Sequence, residues 1–266
     1  MRHQDAPTDR HEQPAQPADG GVRILIVGAT SAIAQATARL LAADGATLFL
    51  AGRDATHLGQ IADDLTTRGA ARVGTMALDL DHTMRHGELL DTATAHMEGL
   101  DVVLVAHGTL PDQAASQADW EVARQALETN FLNIAALLTL VANRLEAGRH
   151  GTLCVIGSVA GDRGRRSNYV YGTAKGALAI FLQGLRNRLH PAGVRVVTIK
   201  PGFVDTPMTA TFTKGPLWAT PERVARGIHK ALEKRGPEVV YLPGFWRVVM
   251  LVIRLIPEPL FKRLRL

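Results

Sequence analysis

Short apolar runs alternate along the chain with longer stretches in which apolar residues return every three or four positions. The first run spans 22–27 (VRILIV), and small and apolar residues follow at helical spacing over 32–43, so a strand, a tight turn and a helix are predicted. Further strands are predicted at 47–51, 71–77, 102–106, 152–156 and 194–199. Helices are predicted between them at 55–67, 81–97 and about 119–146, and from Tyr171 through 176–189. A helix from Thr220 to about Lys234 and a short strand at 238–242 close the series. Such alternation with short connections implies parallel strands joined by right-handed crossovers, which cover both faces of the sheet with helices. The expected fold is α/β, a doubly wound parallel sheet of about seven strands. Ligands of such sheets lie beyond the carboxyl ends of the strands, and Gly28, Arg53, Asp79, Gly108, Ser158 and Pro201 all fall at strand ends.

Composition places this sheet in a globular domain, with 46% of 266 residues hydrophobic and 21% charged. The boundaries read as a disordered N-terminal extension at 1–20, a sheet domain at 21–243, and an apolar, basic tail at 244–266. The extension has no apolar signal-peptide core. The single cysteine, Cys154, lies inside an apolar run and is expected to be a buried strand residue rather than a nucleophile. No metal is expected, and a cytoplasmic location follows from the cysteine usage. The net charge of +5 is concentrated in the tail, where Arg247, Arg254, Lys262, Arg263 and Arg265 face only Glu258. With no basic stripe interleaved with aromatics elsewhere, nucleic acid is not an expected partner and an anionic surface is.

Three features carry chemistry. The turn Gly28-Ala-Thr-Ser-Ala-Ile-Ala34 joins the first strand to the first helix, where backbone amides and a helix N-terminus can face a pyrophosphate. Ala32 and Ala34 stand where glycines are usual in such turns. Arg53 follows the second strand at the position that meets an adenosine ribose; a guanidinium there suits a 2'-phosphate, unless it merely pairs with Asp54. Asp79, after the third strand, is placed to accept from an adenine amino group or to cap the next helix, a task Asp81 can also perform. Finally, Tyr171 and Lys175 share one helical face, and Ser158 follows a strand that can bring its hydroxyl to the same point. An ammonium beside a phenol is expected to pull the tyrosine pKa down toward neutrality, giving a general acid/base.

The ordered set of a Gly-containing turn, strand-end Arg53, Asp79-Leu80, Asn130, Ser158, Tyr171-x-x-x-Lys175 and Pro201-Gly202 resembles the short-chain dehydrogenase/reductase family over about 22–242. The resemblance implies a Rossmann-type fold, hydride transfer between a nicotinamide and a carbonyl or carbinol carbon, and a catalytic tetrad of Asn130, Ser158, Tyr171 and Lys175. It implies a cofactor held by Gly28, Thr30, Ser31, Ala32, Ile33, Arg53, Asp79, Leu80, Ala106, His107, Gly108, Tyr171, Lys175, Pro201, Gly202, Val204 and Thr206. With Arg53 and no acid before it, that cofactor is NADP (as NADPH) rather than NAD. Ala106-His107-Gly108 replaces the family's Asn-Ala-Gly run; a cofactor-packing role for His107 is implied, with general base as the alternative. The family likeness also suggests a homodimer through the Asn130 and Tyr171 helices.

Two further stretches, 161–171 and 245–257, are similar to the keto-sugar reductases of decaprenylphosphoryl-ribose epimerisation. That likeness implies a polyprenyl-phosphate-linked 2-keto sugar as substrate and an FAD-dependent oxidase as partner enzyme, at the inner face of a membrane. Arg163, Arg165 and Arg166 are then candidate phosphate ligands, or else a solvated basic loop. The run at 248–253 is too short to span a bilayer, which takes roughly 20 residues. The tail therefore suits an interface, the partner subunit or the mouth of the cleft. Two other functions stay open: a reductase for another apolar ketone or alcohol, and a non-catalytic NADP sensor or scaffold.

Overall fold

A computed structural model describes residues 21–233 and 236–264. The expected disorder of 1–20 and the expected helix end at Lys234 lie outside the described residues. Seven strands form one sheet: β1 (Arg23–Val27), β2 (Thr47–Gly52), β3 (Arg72–Ala77), β4 (Val102–Val105), β5 (Thr152–Ile156), β6 (Arg195–Pro201) and β7 (Val239–Leu242). Their spatial order is β3-β2-β1-β4-β5-β6-β7, and every pairing is parallel. The helices are α1 (Ala32–Ala43), α2 (Ala55–Thr67), α3 (His86–Met97), α4 (Gln113–Ala118), α5 (Trp120–Leu127), α6 (Asn133–Gly148), α7 (Tyr169–Leu189), α8 (Pro221–Glu233), α9 (Trp246–Leu255) and α10 (Glu258–Phe261). This is the doubly wound sheet that the alternation of runs predicts.

Period-two side-chain alternation divides the core between the two faces. Leu25 and Val27 join Phe49, Val103 and Val155 beneath α3, α6 and α7, with Leu89, Leu137 and Leu182 as the facing side chains. Ile24 and Ile26 join Leu48, Leu50 and Leu104 beneath α1, α2 and α8, with Ala38, Leu58 and Val224 facing them. Cys154 is fully buried in the second layer, and burial pushes its thiol up to about 12, so it is an inert packing residue.

Two of the predicted helices are built differently from the sequence expectation. The helix predicted at about 119–146 is interrupted by a π turn, Glu128–Leu132, between α5 and α6. The helix predicted from Asp81 begins instead with a 3-10 turn, Thr83–Arg85, ahead of α3. Asp81 caps neither. Its carboxylate accepts from Asn133 Nδ2 at 2.7 Å and from Thr129 Oγ1 at 3.3 Å, tying the end of β3 to α6.

The tail is part of the folded body. Trp246 and Met250 of α9 are buried against Val159, with Tyr241, Val249 and Ile253 around them.

Candidate active site

The carboxyl ends of the central strands open onto one cleft of about 760 Å³. All the residues that the family likeness assigns to the cofactor line it, from Gly28 to Thr206. At the first turn Gly28 has φ of 78°, and a Cβ there would stand 2.9 Å from the Ala106 carbonyl and the His107 amide, so only glycine fits. Ser31 makes no side-chain cap to α1, and no acid lies in that helix's first turn. The unsatisfied N–H groups of α1 therefore meet the cleft at Ala32 and Ile33, while the Ser31 amide closes the turn by donating to the Gly28 carbonyl at 3.0 Å; such a helix start suits an anionic pyrophosphate. Arg53 stands exposed at the end of β2 and makes no ion pair among the described residues; its rival partner Asp54 instead caps α2 by accepting from the His57 amide at 3.0 Å. A free guanidinium with no carboxylate before it fits a phosphorylated ribose.

Asn130 lies fully buried in the π turn, whose extra residue turns the side chain inward. Its Nδ2 donates to the Ala126 carbonyl at 2.9 Å, and its Oδ1 accepts from the Thr109 amide at 3.0 Å. Gly108 presses on Asn130 and on the catalytic helix together: a Cβ there would stand 2.7 Å from Asn130 Oδ1 and 3.0 Å from Lys175 Nζ. Ser158 follows β5 and accepts from the Ala160 amide at 3.1 Å, and its hydroxyl also hydrogen-bonds Tyr171. One turn further along α7, Lys175 Nζ is 5.7 Å from the centre of the Tyr171 ring. The structure thus gathers all four residues of the expected tetrad.

Their electrostatics differ from the expectation. Burial pushes the Tyr171 phenol up to about 12, against the smaller lowering effect of the Ser158 hydrogen bond. Burial also pushes the Lys175 ammonium down to about 8. Taking each group out of water outweighs what the ammonium does for the phenol. At neutral pH the phenol is protonated and the lysine charged, the state required of a proton donor. His107 lines the same cleft with Nε2 unpartnered, and burial lowers its imidazole to about 4. So weak a base does not suit the general-base alternative.

The three arginines predicted to bind phosphate separate. Arg163 does not line the cleft. Its Nη1 donates to the Ile253 and Ile256 carbonyls, each at 2.6 Å, its Nη2 meets Glu258 at 2.8 Å, and its guanidinium lies 3.6 Å over the Phe261 ring. It satisfies carbonyls left open at the end of α9, and it is a structural latch. Arg166 is exposed and also outside the cleft. Only Arg165 lines it, with Nε buried and unpartnered and its pKa lowered by burial. Beside the latch, Asp162 is buried between Lys200 Nζ and the Tyr241 hydroxyl, which donates at 2.7 Å.

No motif pointed to the apolar part of the cleft lining. It is built by Leu110, Pro111, Val122, Phe203, Met208 and Phe212, together with Asn168 at the start of α7. The Asn168 Oδ1 and Gln113 Nε2 atoms are buried without partners, while Gln113 Oε1 accepts from the Val170 amide at 3.2 Å. Apolar residues scattered over separate loops form no motif.

A parallel sheet with a phosphate-compatible first turn and a Ser158, Tyr171 and Lys175 cluster at its carboxyl edge defines a dinucleotide-dependent oxidoreductase. The chain matches the short chain dehydrogenase family model over residues 23–216 and belongs to that family. It is an NAD(P)-dependent oxidoreductase. It is similar to an uncharacterized oxidoreductase of Mycobacterium tuberculosis (strain H37Rv), with 39% identity over 92% of this chain and 98% of the relative. It is also similar to one of Streptomyces coelicolor, with 39% identity over 91% and 95%. Among solved structures, a short chain dehydrogenase/reductase family protein superposes with a TM-score of 0.71 at 28% identity, covering 83% of this chain and 95% of that one. The fold is shared with ElxO solved with NADP bound, at a TM-score of 0.76 and 17% identity, covering 86% and 99%.

Proposed function

We propose that the protein is an NADPH-dependent reductase of a ketone that carries an anionic group and a long apolar chain, of the polyprenyl-phosphate-linked 2-keto-sugar type. Arg165 is the observation that carries this reading. A guanidinium with a buried, unpartnered Nε on the cleft wall is costly unless an anion completes it. Phe203, Met208 and Phe212 offer an apolar exit for a chain. Arg53, free at the ribose end, favours NADPH over NADH. The bound nicotinamide supplies the hydride. Ser158 holds the substrate oxygen by its hydroxyl, and Tyr171, protonated at neutral pH, delivers the proton to that oxygen. Lys175 and Asn130, together beneath Gly108, keep the phenol's surroundings charged and ordered.

The keto group requires a producer, and an FAD-dependent oxidase is the partner enzyme this reading requires. Exposed Leu132, Leu140, Tyr169 and Ile180 on the π turn, α6 and α7 support a homodimer through those helices. The test supplies NADPH deuterated at its transferable position together with a keto lipid-sugar made in place by such an oxidase. Deuterium is expected at the reduced sugar carbon. Arg165→Gln is expected to raise KM about tenfold for the anionic substrate while leaving a neutral ketone unaffected. Equal turnover of a neutral ketone, insensitive to Arg165→Gln, would instead identify the reductase as one for uncharged apolar ketones.

A further inference from the structure

The helix α9 is apolar on two opposite sides. Trp246, Val249, Met250 and Ile253 form the side that meets the domain. Val248, Leu251, Val252 and Leu255, spaced i, i+3, i+4 and i+7, form a second stripe that is 56–72% exposed. A surface helix of a globular protein needs one apolar stripe. The second has no partner within the chain, and contiguous exposed apolar surface marks an interaction site.

The charge around the stripe selects its partner. Arg247 and Arg254, seven residues apart, border it on one side, and Lys262 and Arg263 follow just beyond α10; none makes an ion pair among the described residues. The acid of this segment, Glu258, is already engaged by Arg163 at 2.8 Å. That pairing leaves the four cations as the charges of the described tail without an ion-pair partner. A second copy of the chain presenting the same face would bring four cations against four. An anionic bilayer surface would neutralise them while accepting the apolar stripe.

Length excludes spanning. The ten residues of α9 reach about 15 Å, half of a hydrocarbon core of about 30 Å. Among the described residues only Trp120–Gly148 is long and apolar enough to cross a membrane, and its Ile134, Leu137, Leu138 and Val141 are buried against the sheet. The first turn of α9 also adjoins the cleft. Trp246 meets Phe203 edge-on with ring centres 5.6 Å apart, and Phe203 stacks on Trp218 at 5.4 Å. Phe203 lines the cleft.

We infer that the outer stripe of α9 and its basic border dock the enzyme onto an anionic lipid surface, with the Phe203 side of the cleft next to the bilayer. The docking does not depend on which ketone is reduced.

The test is co-sedimentation of the full chain with vesicles of phosphatidylglycerol and phosphatidylcholine in equal parts, or of phosphatidylcholine alone. NADPH binding is measured in parallel as a check on the fold. Binding to the anionic vesicles is expected to exceed binding to the neutral ones about tenfold and to weaken with salt. The double variant Leu251→Ser/Leu255→Ser is expected to lose about tenfold in vesicle binding. The pair Arg247→Glu/Arg254→Glu is expected to abolish the preference for anionic lipid. Absence of binding to either vesicle by a chain that still binds NADPH would overturn the proposal. So would a Leu251→Ser/Leu255→Ser variant that binds vesicles normally but changes from dimer to monomer on sizing, since the stripe would then belong to a second copy. Failure of the keto-sugar reading leaves vesicle binding intact, so the two fail separately.

Discussion

The two halves of the cleft are built in different ways. The cofactor half is made from turns that follow strand ends, and each of its residues is held by the sheet it leaves. Gly28, for example, abuts Ala106 and His107, which follow the neighbouring strand β4. The substrate half hangs on remote ties. Arg163 reaches carbonyls 90 and 93 residues away, and Asp162 reaches Lys200 and Tyr241. The segment between Ser158 and Tyr171 is therefore tied to the tail as well as to the sheet.

Tyr171 stands on the seam between the halves, and its loss carries the largest expected effect. Tyr171→Phe keeps the ring and removes the proton donor, so NADPH oxidation with a ketone substrate is expected to fall by about 10²–10⁴-fold. NADPH affinity, read by fluorescence, is expected to stay within about twofold. A comparable loss in both would show that the seam does not separate the two functions. The next effect is confined to the cofactor half. Arg53→Glu is expected to weaken NADPH about 10- to 100-fold while NADH weakens far less, with the ketone KM unchanged.

The same division explains what could be read from the sequence. Gly28, Arg53, Asp79, Ser158 and Lys175 were legible because each follows a strand by a short fixed offset or shares a helix face, and such spacings survive in one dimension. The long helix was legible too, but its π turn was not, because a one-residue widening leaves the apolar periodicity nearly intact. The run Arg163, Arg165 and Arg166 looked like a single anion site. Adjacent side chains in an irregular segment point in different directions, and only the position of α9 decides that Arg163 turns away from the cleft. The tyrosine's pKa departs from what its spacing to Lys175 predicts for a related reason. Spacing reveals that a lysine is near but not how much water both groups have lost.

Arg163 gives the sharpest test of the substrate half. Its side chain is 14% exposed and makes charge-assisted hydrogen bonds worth about 1.5–3 kcal/mol each in comparable settings. Arg163→Ala is expected to lower Tm by several degrees and to raise the ketone KM about fivefold, with NADPH affinity preserved. Arg163→Lys, which keeps the charge but not the fork, is expected to recover only part of the loss. Equal damage to NADPH binding would mean that the tail supports the whole cleft, and the contrast between the halves would fail.

The smallest expected effect is a matter of pH, and it opposes activity to stability. Burial lowers Lys175 from its ordinary 10.5 to about 8, so between those values the unfolded chain holds a proton that the folded chain has released. More protons on the unfolded state means that stability rises with pH across that window. Activity runs the other way, because loss of the ammonium above about pH 8 removes the charge that Tyr171 needs as its phenolate forms. The Tm of the cofactor-free protein, measured from pH 8 to 10, is therefore expected to climb relative to Lys175→Met, whose fixed neutral side chain has no such slope. Over the same interval kcat/KM for reduction is expected to fall. His107, lowered to about 4, contributes no inflection between pH 5 and 8, so His107→Asn should leave the profile's shape unchanged. A Tm that falls in parallel with activity would place the titrating group elsewhere, and with it the charge on which the seam depends.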